Sequence, residues 1–332
     1  MTVPLPADLV RRYSDSAERR AWLARLPQLI QDALERWQLR VDLRPGQEPW
    51  NGFSGIAIPV RTGDGTAAVL KITFPYEDIA HEAATLRLWN GVGAVRLLDH
   101  DEADFALLLE RLDAARWLQA APPDEAVRVW GALLRDLSIR PDERPGWASL
   151  PSLAERAEHW SDELPAEWDR LGEPFPRWLL EAALEVCQTR GSVGRREAND
   201  VLVHGDMHGM NILAKPGTTG WEPEDFLVID PQGILGEAEY AVGPMLSNRL
   251  RDYATQNPEL ALLDRLHRLC AAAGLDPEIA REWTILREVE DALWFAAKPN
   301  HEKDLHRTLW IASTLAGSTL PGLPHPHGLE IL

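Results

Sequence analysis

The sequence predicts an α+β fold in two lobes, with a small antiparallel sheet followed by a larger, mostly helical region. Apolar residues alternate in short runs up to about residue 109, as they do in half-buried strands. Beyond residue 113, capping motifs and apolar stripes of helical spacing dominate. Two apolar runs, residues 201–203 and 226–229, interrupt this helical half, and each leads to an aspartate. We therefore expect lobes at residues 1–112 and 113–332.

Composition narrows the class of protein. The chain has 332 residues, of which 45% are apolar, but no apolar run is long enough to cross a membrane. Its start lacks the charged-then-apolar order of a signal peptide. The two cysteines, Cys187 and Cys270, are far apart and form no metal or redox motif. We therefore expect a cytoplasmic protein that contacts no membrane.

The net charge of −18 also bears on which partners the protein can bind. Nucleic-acid binding depends on lysine and arginine that neutralise phosphates, so this charge argues against it. A small cationic substrate is compatible with the charge, although acidic surfaces also serve solubility alone.

The first lobe is predicted to contain a helical lead-in, residues 1–38, in which Asp15 and Glu18 resemble a capping box. Alternating runs predict strands at 39–43, 56–60 and 67–72, and two more at 94–98 and 105–109. One main helix is expected at about 77–90. The prediction is thus a five-stranded sheet with one helix.

Three features of this lobe suggest a phosphate site. The loop NGFSG contains Gly52, Ser54 and Gly55, small residues that let backbone N–H groups approach phosphates, although its G-x-x-G spacing is weak evidence alone. Lys71 ends the run AVLK, which is similar to the run VAIK that ends in the phosphate-binding lysine of kinases. The alternative is that Lys71 is a lysine at the end of a strand that faces water. Glu82 lies on the apolar stripe of the predicted helix, where a carboxylate needs a partner, and Lys71 is the expected one.

The two lobes are expected to join at residues 110–112. From position alone, we predict that Glu110 and Leu112 flank the backbone that meets the nucleotide base.

The central motif is HGDMHGMN at residues 204–211, followed after a short strand by Asp230. Asp206 and Asn211 have the five-residue spacing of the catalytic loop in phosphoryl-transfer kinases. In that scheme Asp206 orients the acceptor hydroxyl and takes its proton, and Asn211 and Asp230 hold Mg²⁺. Oxygen ligands suit this hard cation.

A metal-dependent phosphoesterase is an alternative, because His204, Asp206 and His208 have plausible metal-ligand spacing. That chemistry needs further ligand blocks, and we find no second Gly-Asp-rich or Gly-Asn-His block. A polar turn that merely caps a buried strand is the simplest alternative.

With these residues assembled, the chain resembles the aminoglycoside/hydroxyurea antibiotic-resistance kinases, which include streptomycin phosphotransferases. Residues 204–213 and 227–237 carry the resemblance, which extends from about 50 to 310. It implies a protein-kinase-like fold and transfer from ATP, or GTP, with Mg²⁺ to a hydroxyl of a small cationic antibiotic such as streptomycin. It also implies that Asp206 is catalytic, that Asn211 and Asp230 bind metal, and that Lys71 and Glu82 position phosphates.

Two positions depart from the family pattern. Gln232 stands where relatives usually have lysine, and Ala241 stands where they usually have an aspartate that braces the catalytic loop. A nucleotide-binding protein without transfer activity is therefore a further alternative.

The acceptor is expected to be small. The chain lacks the A-P-E motif of protein kinases and a long segment that could present a peptide, so no protein partner is implied. Paired carboxylates would bind guanidinium groups, and the acidic candidates are Glu237, Glu239, Glu288 and Asp291, each of which could instead face water.

Overall fold

The computed structural model describes residues 3–52, 54–75, 81–195 and 199–330. The described helices are α1 (Ala7–Arg12), α2 (Ala17–Arg36), α3 (Glu82–Trp89), α4 (Pro123–Leu137), α5 (Leu153–Arg170), α6 (Arg177–Arg190), α7 (Gly243–Leu246), α8 (Pro258–Ala273), α9 (Pro277–Ala296) and α10 (Glu302–Leu315). The described strands are β1 (Arg40–Val41), β2 (Trp50–Asn51), β3 (Gly55–Arg61), β4 (Ala67–Thr73), β5 (Leu97–Asp101), β6 (Ala106–Glu110), β7 (Asp113–Trp117), β8 (Val201–Val203), β9 (Ile212–Ala214), β10 (Phe226–Val228) and β11 (Ile234–Gly236).

The first-lobe sheet is antiparallel and, within the described residues, has six strands instead of five. Its order is β1-β3-β4-β6-β5, and the extra strand β2 pairs with β3. Trp50 lies opposite Ala57, and Asn51 lies opposite Ile56. Strands β2 and β3 therefore form a hairpin, which the turn-rich sequence did not predict. Of the predicted helix at 77–90, α3 is described from Glu82, and residues 77–80 lie outside the described residues.

One predicted strand is displaced. The strand expected at 94–98 begins only at Leu97 and continues to Asp101. The backbone N–H of Val95 instead donates to the carbonyl of Val228, at 2.9 Å, in the second lobe. This stretch therefore connects the lobes before the sheet resumes.

The lead-in consists of two helices that cover one face of the sheet. Ser16, and not Asp15, caps α2, because its side chain accepts a hydrogen bond from the N–H of Arg19 at 3.2 Å. Leu26 and Ile30 of α2 pack with Ile58 and Leu70 of the sheet in one buried cluster. The first lobe thus has its own core.

The second lobe contains α4 to α10 and, among its described residues, two short sheets, of order β10-β9-β7 and β11-β8. Large aromatic side chains fill its core, and the buried tryptophans are Trp130, Trp160, Trp168, Trp283 and Trp310. In the described part of the chain, no helix is both long and apolar enough to cross a membrane. The short sheets project two loops, residues 204–211 and 229–233, toward the first lobe.

Candidate active site

The loop that follows β8 is fixed by backbone geometry and by a buried histidine. Gly205 has φ of +79°, and a Cβ there would lie 2.5 Å from the carbonyl oxygen of Gln232, so glycine is required. His204 is fully buried, with Nε2 2.9 Å from the carbonyl oxygen of Ile229 and Nδ1 accepting from the N–H of Asp206 at 3.3 Å. Burial lowers the pKa of His204 to about 4, so the ring is neutral and its Nε2–H donates.

Asp206 is surrounded by groups that keep it ionised. His208 Nε2 lies 3.5 Å from Oδ2, and Arg287 Nη2 lies 3.7 Å from Oδ1. Burial alone would raise the pKa of Asp206, but His208 and Arg287 lower it well below its usual range. The side-chain amide of Asn211 donates to the carbonyl of Asp206 at 3.0 Å and lies 3.4 Å from its Oδ2. The carboxylate is therefore available to accept a hydrogen bond from a hydroxyl.

Lys71 joins the two lobes. Its Nζ lies 2.7 Å from both carboxylate oxygens of Glu82, on α3, and 3.0 Å from Oδ1 of Asp230, in the second lobe. Burial alone would lower the pKa of Lys71, but the carboxylates of Asp230 and Glu82 raise it, so the ammonium stays charged. Asp230 adopts a left-handed backbone conformation, with φ of +57°, which costs energy for a residue with a Cβ.

A cleft of about 620 Å³ lies between the lobes. The cleft brings together the predicted residues Gly52, Ser54, Gly55, Lys71, Glu82, Asp206, Asn211 and Asp230. Glu110 and Leu112 are not among its described lining residues. The Glu110 carboxylate accepts from the N–H of Arg96 at 2.7 Å, and Leu112 is buried beside a neighbouring cavity. The cleft wall after β6 is formed instead by Ala114 and Trp117.

Comparison with known proteins identifies the family. The sequence model of one protein family, the aminoglycoside/hydroxyurea antibiotic resistance kinases, matches residues 36–298. The chain belongs to this family. It is 35% identical over 295 residues to streptomycin 6-kinase of Streptomyces glaucescens, covering 88% of this chain and 89% of the relative. It is also 35% identical over 299 residues to hydroxyurea phosphotransferase of Kitasatospora aureofaciens, covering 88% and 80%. The protein is therefore a small-molecule phosphotransferase.

Solved structures confirm the kinase-like two-lobed fold. The GDP complex of an aminoglycoside 2'-phosphotransferase variant superposes with a TM-score of 0.55 at 15% identity, covering 87% of this chain and 96% of that one. An amicoumacin kinase in complex with AMP-PNP and Ca²⁺ gives 0.53 at 12% identity, covering 98% and 100%. At these identities the likeness concerns the fold alone.

Two of the four acidic residues predicted to bind the acceptor of this kinase instead bond to α9 or to the residue that caps it. Glu237 is buried, and its Oε2 accepts from the indole N–H of Trp283 at 2.7 Å. Glu239 accepts from the backbone N–H of Asp276 at 3.2 Å, at the start of α9. Both carboxylates therefore anchor α9, a use that their position in the sequence did not reveal.

The other two acidic residues lie one turn apart on α9, close to the loop of residues 204–211. Glu288 is 1% exposed, and its Oε1 accepts from the hydroxyl of Ser247, whereas its Oε2 has no partner among the described residues. Burial and the nearby Asp291 raise the pKa of Glu288 to about 8. Burial likewise raises the pKa of Asp291. A cation placed beside this pair would favour the charged forms of both carboxyls.

The donor set fits Mg²⁺. Because the side-chain N–H of Asn211 is used by Asp206, its Oδ1 is left as a ligand atom. Asp230 has one oxygen against Lys71 and a second that remains available. Magnesium is commonly held by one or two protein oxygens together with phosphates and water. Among the described residues, no three His, Cys, Asp or Glu side chains form the metal-binding group that the phosphoesterase alternative requires.

Sequence reasoning missed several residues of this site. Trp50, Trp117 and Met210 line the cleft, and the residues Trp117 and Met210 are 42% and 40% exposed. With fourteen tryptophans in the chain, no local signal separates these from core residues. Arg287, 81 residues beyond Asp206, was also missed, because only tertiary packing brings it to the loop.

Proposed function

We propose that this kinase transfers the terminal phosphate of ATP or GTP, with Mg²⁺, to a hydroxyl of a small cationic molecule, such as an aminoglycoside of the streptomycin class, in the cytoplasm. The observation that carries the proposal is the arrangement around Lys71. One ammonium group pairs with Glu82 of the first lobe and Asp230 of the second, in the cleft that also contains Asp206 and Asn211.

Each residue has a role that its chemistry permits. Lys71 binds the nucleotide phosphates, and Glu82 keeps its ammonium in place. The glycine loop, with Gly52, Ser54 and Gly55, covers the phosphates through backbone N–H groups. Asn211 Oδ1 and the Asp230 carboxylate would hold Mg²⁺, which supplies charge neutralisation between phosphates.

Asp206 orients the acceptor hydroxyl and accepts its proton. An ionised carboxylate of low pKa is a weak base, so its main contribution is to align the hydroxyl oxygen with the phosphate. Phosphoryl transfer needs positioning and electrostatic stabilisation more than it needs a strong base. His208, which is within 3.5 Å of Asp206, and Arg287 hold that carboxylate in its charged form.

The acceptor is proposed to be cationic. Glu288 and Asp291 offer carboxyl groups on α9, close to Asp206, and the chain carries a net charge of −18. Two of the 35%-identical relatives act on different acceptors, streptomycin and hydroxyurea, by their names. These two carboxyls favour the first acceptor, since a guanidinium group matches a carboxylate and hydroxyurea is uncharged.

Mass spectrometry of reaction mixtures tests the proposal. The wild-type protein is incubated with Mg²⁺, ATP or GTP, and one of streptomycin, other aminoglycosides or hydroxyurea, and the products are examined for one added phosphate. We expect phosphorylated streptomycin or a related aminoglycoside, and a loss of at least about 10²-fold in turnover for Asp206→Asn. The matched control is Asp225→Asn, since Asp225 precedes β10 and is not among the described residues that line the cleft.

Two results would contradict the proposal. Nucleotide binding without any phosphorylated acceptor would favour the non-transferring alternative. Unchanged turnover in Asp206→Asn would show that the assigned role is wrong.

A further inference from the structure

We propose that Arg287 of α9 is a positioning residue, which fixes the backbone of the catalytic loop (residues 204–211) at Gly205 and sets the orientation of the Asp206 carboxylate. The inference rests on the proposed role of Asp206 and adds a residue to that site.

The geometry of the guanidinium is the first observation. Its Nη1 donates to the carbonyl oxygen of Gly205 at 2.6 Å, and its Nη2 lies 3.7 Å from Oδ1 of Asp206. Two nitrogens of one rigid, planar group thus face two consecutive residues of the loop. A planar guanidinium fixes direction as well as distance, which a single ammonium cannot do.

The second observation is that Arg287 is itself held in place. Its guanidinium lies over the ring of Tyr240, with the central carbon 5.2 Å from the ring centroid. Its Cδ lies against Gly243, where a Cβ would come within 3.2 Å. The side chain is only 16% exposed. Packing therefore restricts the arginine before any substrate is bound.

The third observation concerns the other anchors of the loop. The N–H of Gln232 donates to the carbonyl of His204 at 2.8 Å, so the loop of residues 229–233 holds the beginning of the catalytic loop. Ala241, in the segment that precedes α7, is buried and has no polar side-chain atom with which to brace Gly205. Arg287, which lies on α9, donates a hydrogen bond to the carbonyl of the next residue, Gly205. The catalytic loop is thereby held from two directions.

Through Arg287, helix α9 links Asp206, the proposed base, to the proposed acceptor site. Glu288 and Asp291, the proposed acceptor carboxyls, lie on the same helix as Arg287. A shift of α9 on acceptor binding would therefore move the group that orients Asp206. A misplacement of about 1 Å at a reacting group can cost about 10²-fold in rate.

The test compares Arg287→Met and Arg287→Lys with wild type and with Arg281→Met. Arg281 is a matched control, because it lies on the same helix and pairs with Glu278, away from the loop. Two readouts are used: amide hydrogen exchange of residues 205–211 by mass spectrometry, and the separate kcat and KM values for transfer.

We expect Arg287→Met to make exchange in residues 205–211 about tenfold faster, because a charge-assisted bond is lost. We also expect a fall in kcat of about 10²-fold with an unchanged nucleotide KM. Arg287→Lys keeps the charge and the aliphatic stem, so we expect wild-type thermal stability but only partial recovery of kcat and of exchange. Arg281→Met should match wild type in both readouts.

Unchanged exchange in residues 205–211 in both Arg287 variants would overturn the inference, whatever the activity. So would an Arg287→Lys protein with wild-type exchange and kcat, since charge or packing alone would then suffice. A wild-type protein that phosphorylates no acceptor would refute the proposed function, but the exchange experiment would still decide the role of Arg287.

Discussion

Lys71 and Asp230 are 159 residues apart in the chain, yet their side chains form an ion pair of 3.0 Å across the cleft. The same Nζ lies 2.7 Å from the carboxylate of Glu82. One buried cation thus connects the sheet, helix α3 and the loop of residues 229–233. We expect its charge to contribute both to folding and to phosphate binding, and mutation can separate the two contributions.

Replacing Lys71 with methionine leaves the Glu82 carboxylate buried without a cation. We expect the free energy of unfolding to fall by about 3 kcal/mol, as measured by urea denaturation. In the double variant Lys71→Met/Glu82→Gln, most of that stability should return, because neither charge remains. Transfer activity should stay lost in both, since no ammonium reaches the phosphates. Full destabilisation in the double variant would contradict the assigned pairing.

Gly205→Ala should destabilise the protein through two effects. A positive φ, here +79°, is unfavourable for alanine, and the Cβ would lie 2.5 Å from a carbonyl oxygen. Gly217 is the matched control, because it has φ of +83° but no described atom within 4 Å of the position that a methyl group would take. We expect Gly217→Ala to cost about 1 kcal/mol and Gly205→Ala at least about 2 kcal/mol, by urea denaturation. Equal costs would show that the close approach is unimportant.

The neutral state of His204 predicts a dependence of stability on pH. Burial lowers its folded pKa from 6.5 to about 4, so the unfolded chain binds a proton more readily between these values. His204 therefore supports folding fully above pH 6.5, and this support is lost as the pH falls toward 4. The loss should amount to about 3 kcal/mol.

The matched comparison for this prediction is His204→Asn. The difference in unfolding free energy between wild type and variant should shrink as the pH falls, and it isolates the histidine from carboxyls such as Glu288. A difference that does not vary with pH would refute the neutral, buried state.

Asp291→Asn tests the acceptor site. A hydrogen bond between charged groups is about twice as strong as a neutral one, so we expect the KM for a cationic acceptor to rise about tenfold. The nucleotide KM should be unchanged, because Asp291 is not among the described residues that line the nucleotide cleft. The control is Glu237→Gln, which should lower the melting temperature and leave the acceptor KM unaltered, because Glu237 bonds Trp283. The opposite pattern would exchange the roles of the two carboxylates.

The sequence by itself determined the fold class and the main polar residues of the cleft. Asp206, Asn211 and Asp230 could be found because they follow short strands at fixed spacing, and local chain geometry settles where such residues lie. The partnership of Lys71 with Glu82 could be expected because a carboxylate on an apolar stripe needs a cation nearby. The contact between Lys71 and Asp230 connects this Lys71–Glu82 pair to the second lobe.

Only the tertiary structure decided which polar groups were already occupied and which distant ones approached the loop. Glu237 and Glu239 were candidates for the acceptor site from the sequence, and the packing of α9 gives both of them partners. Arg287 reaches Gly205 because α9 packs beside the loop of residues 204–211. The spacing of apolar residues along α9 does not predict that contact. A side chain's partner depends on how remote elements pack, and that packing is set by the whole core.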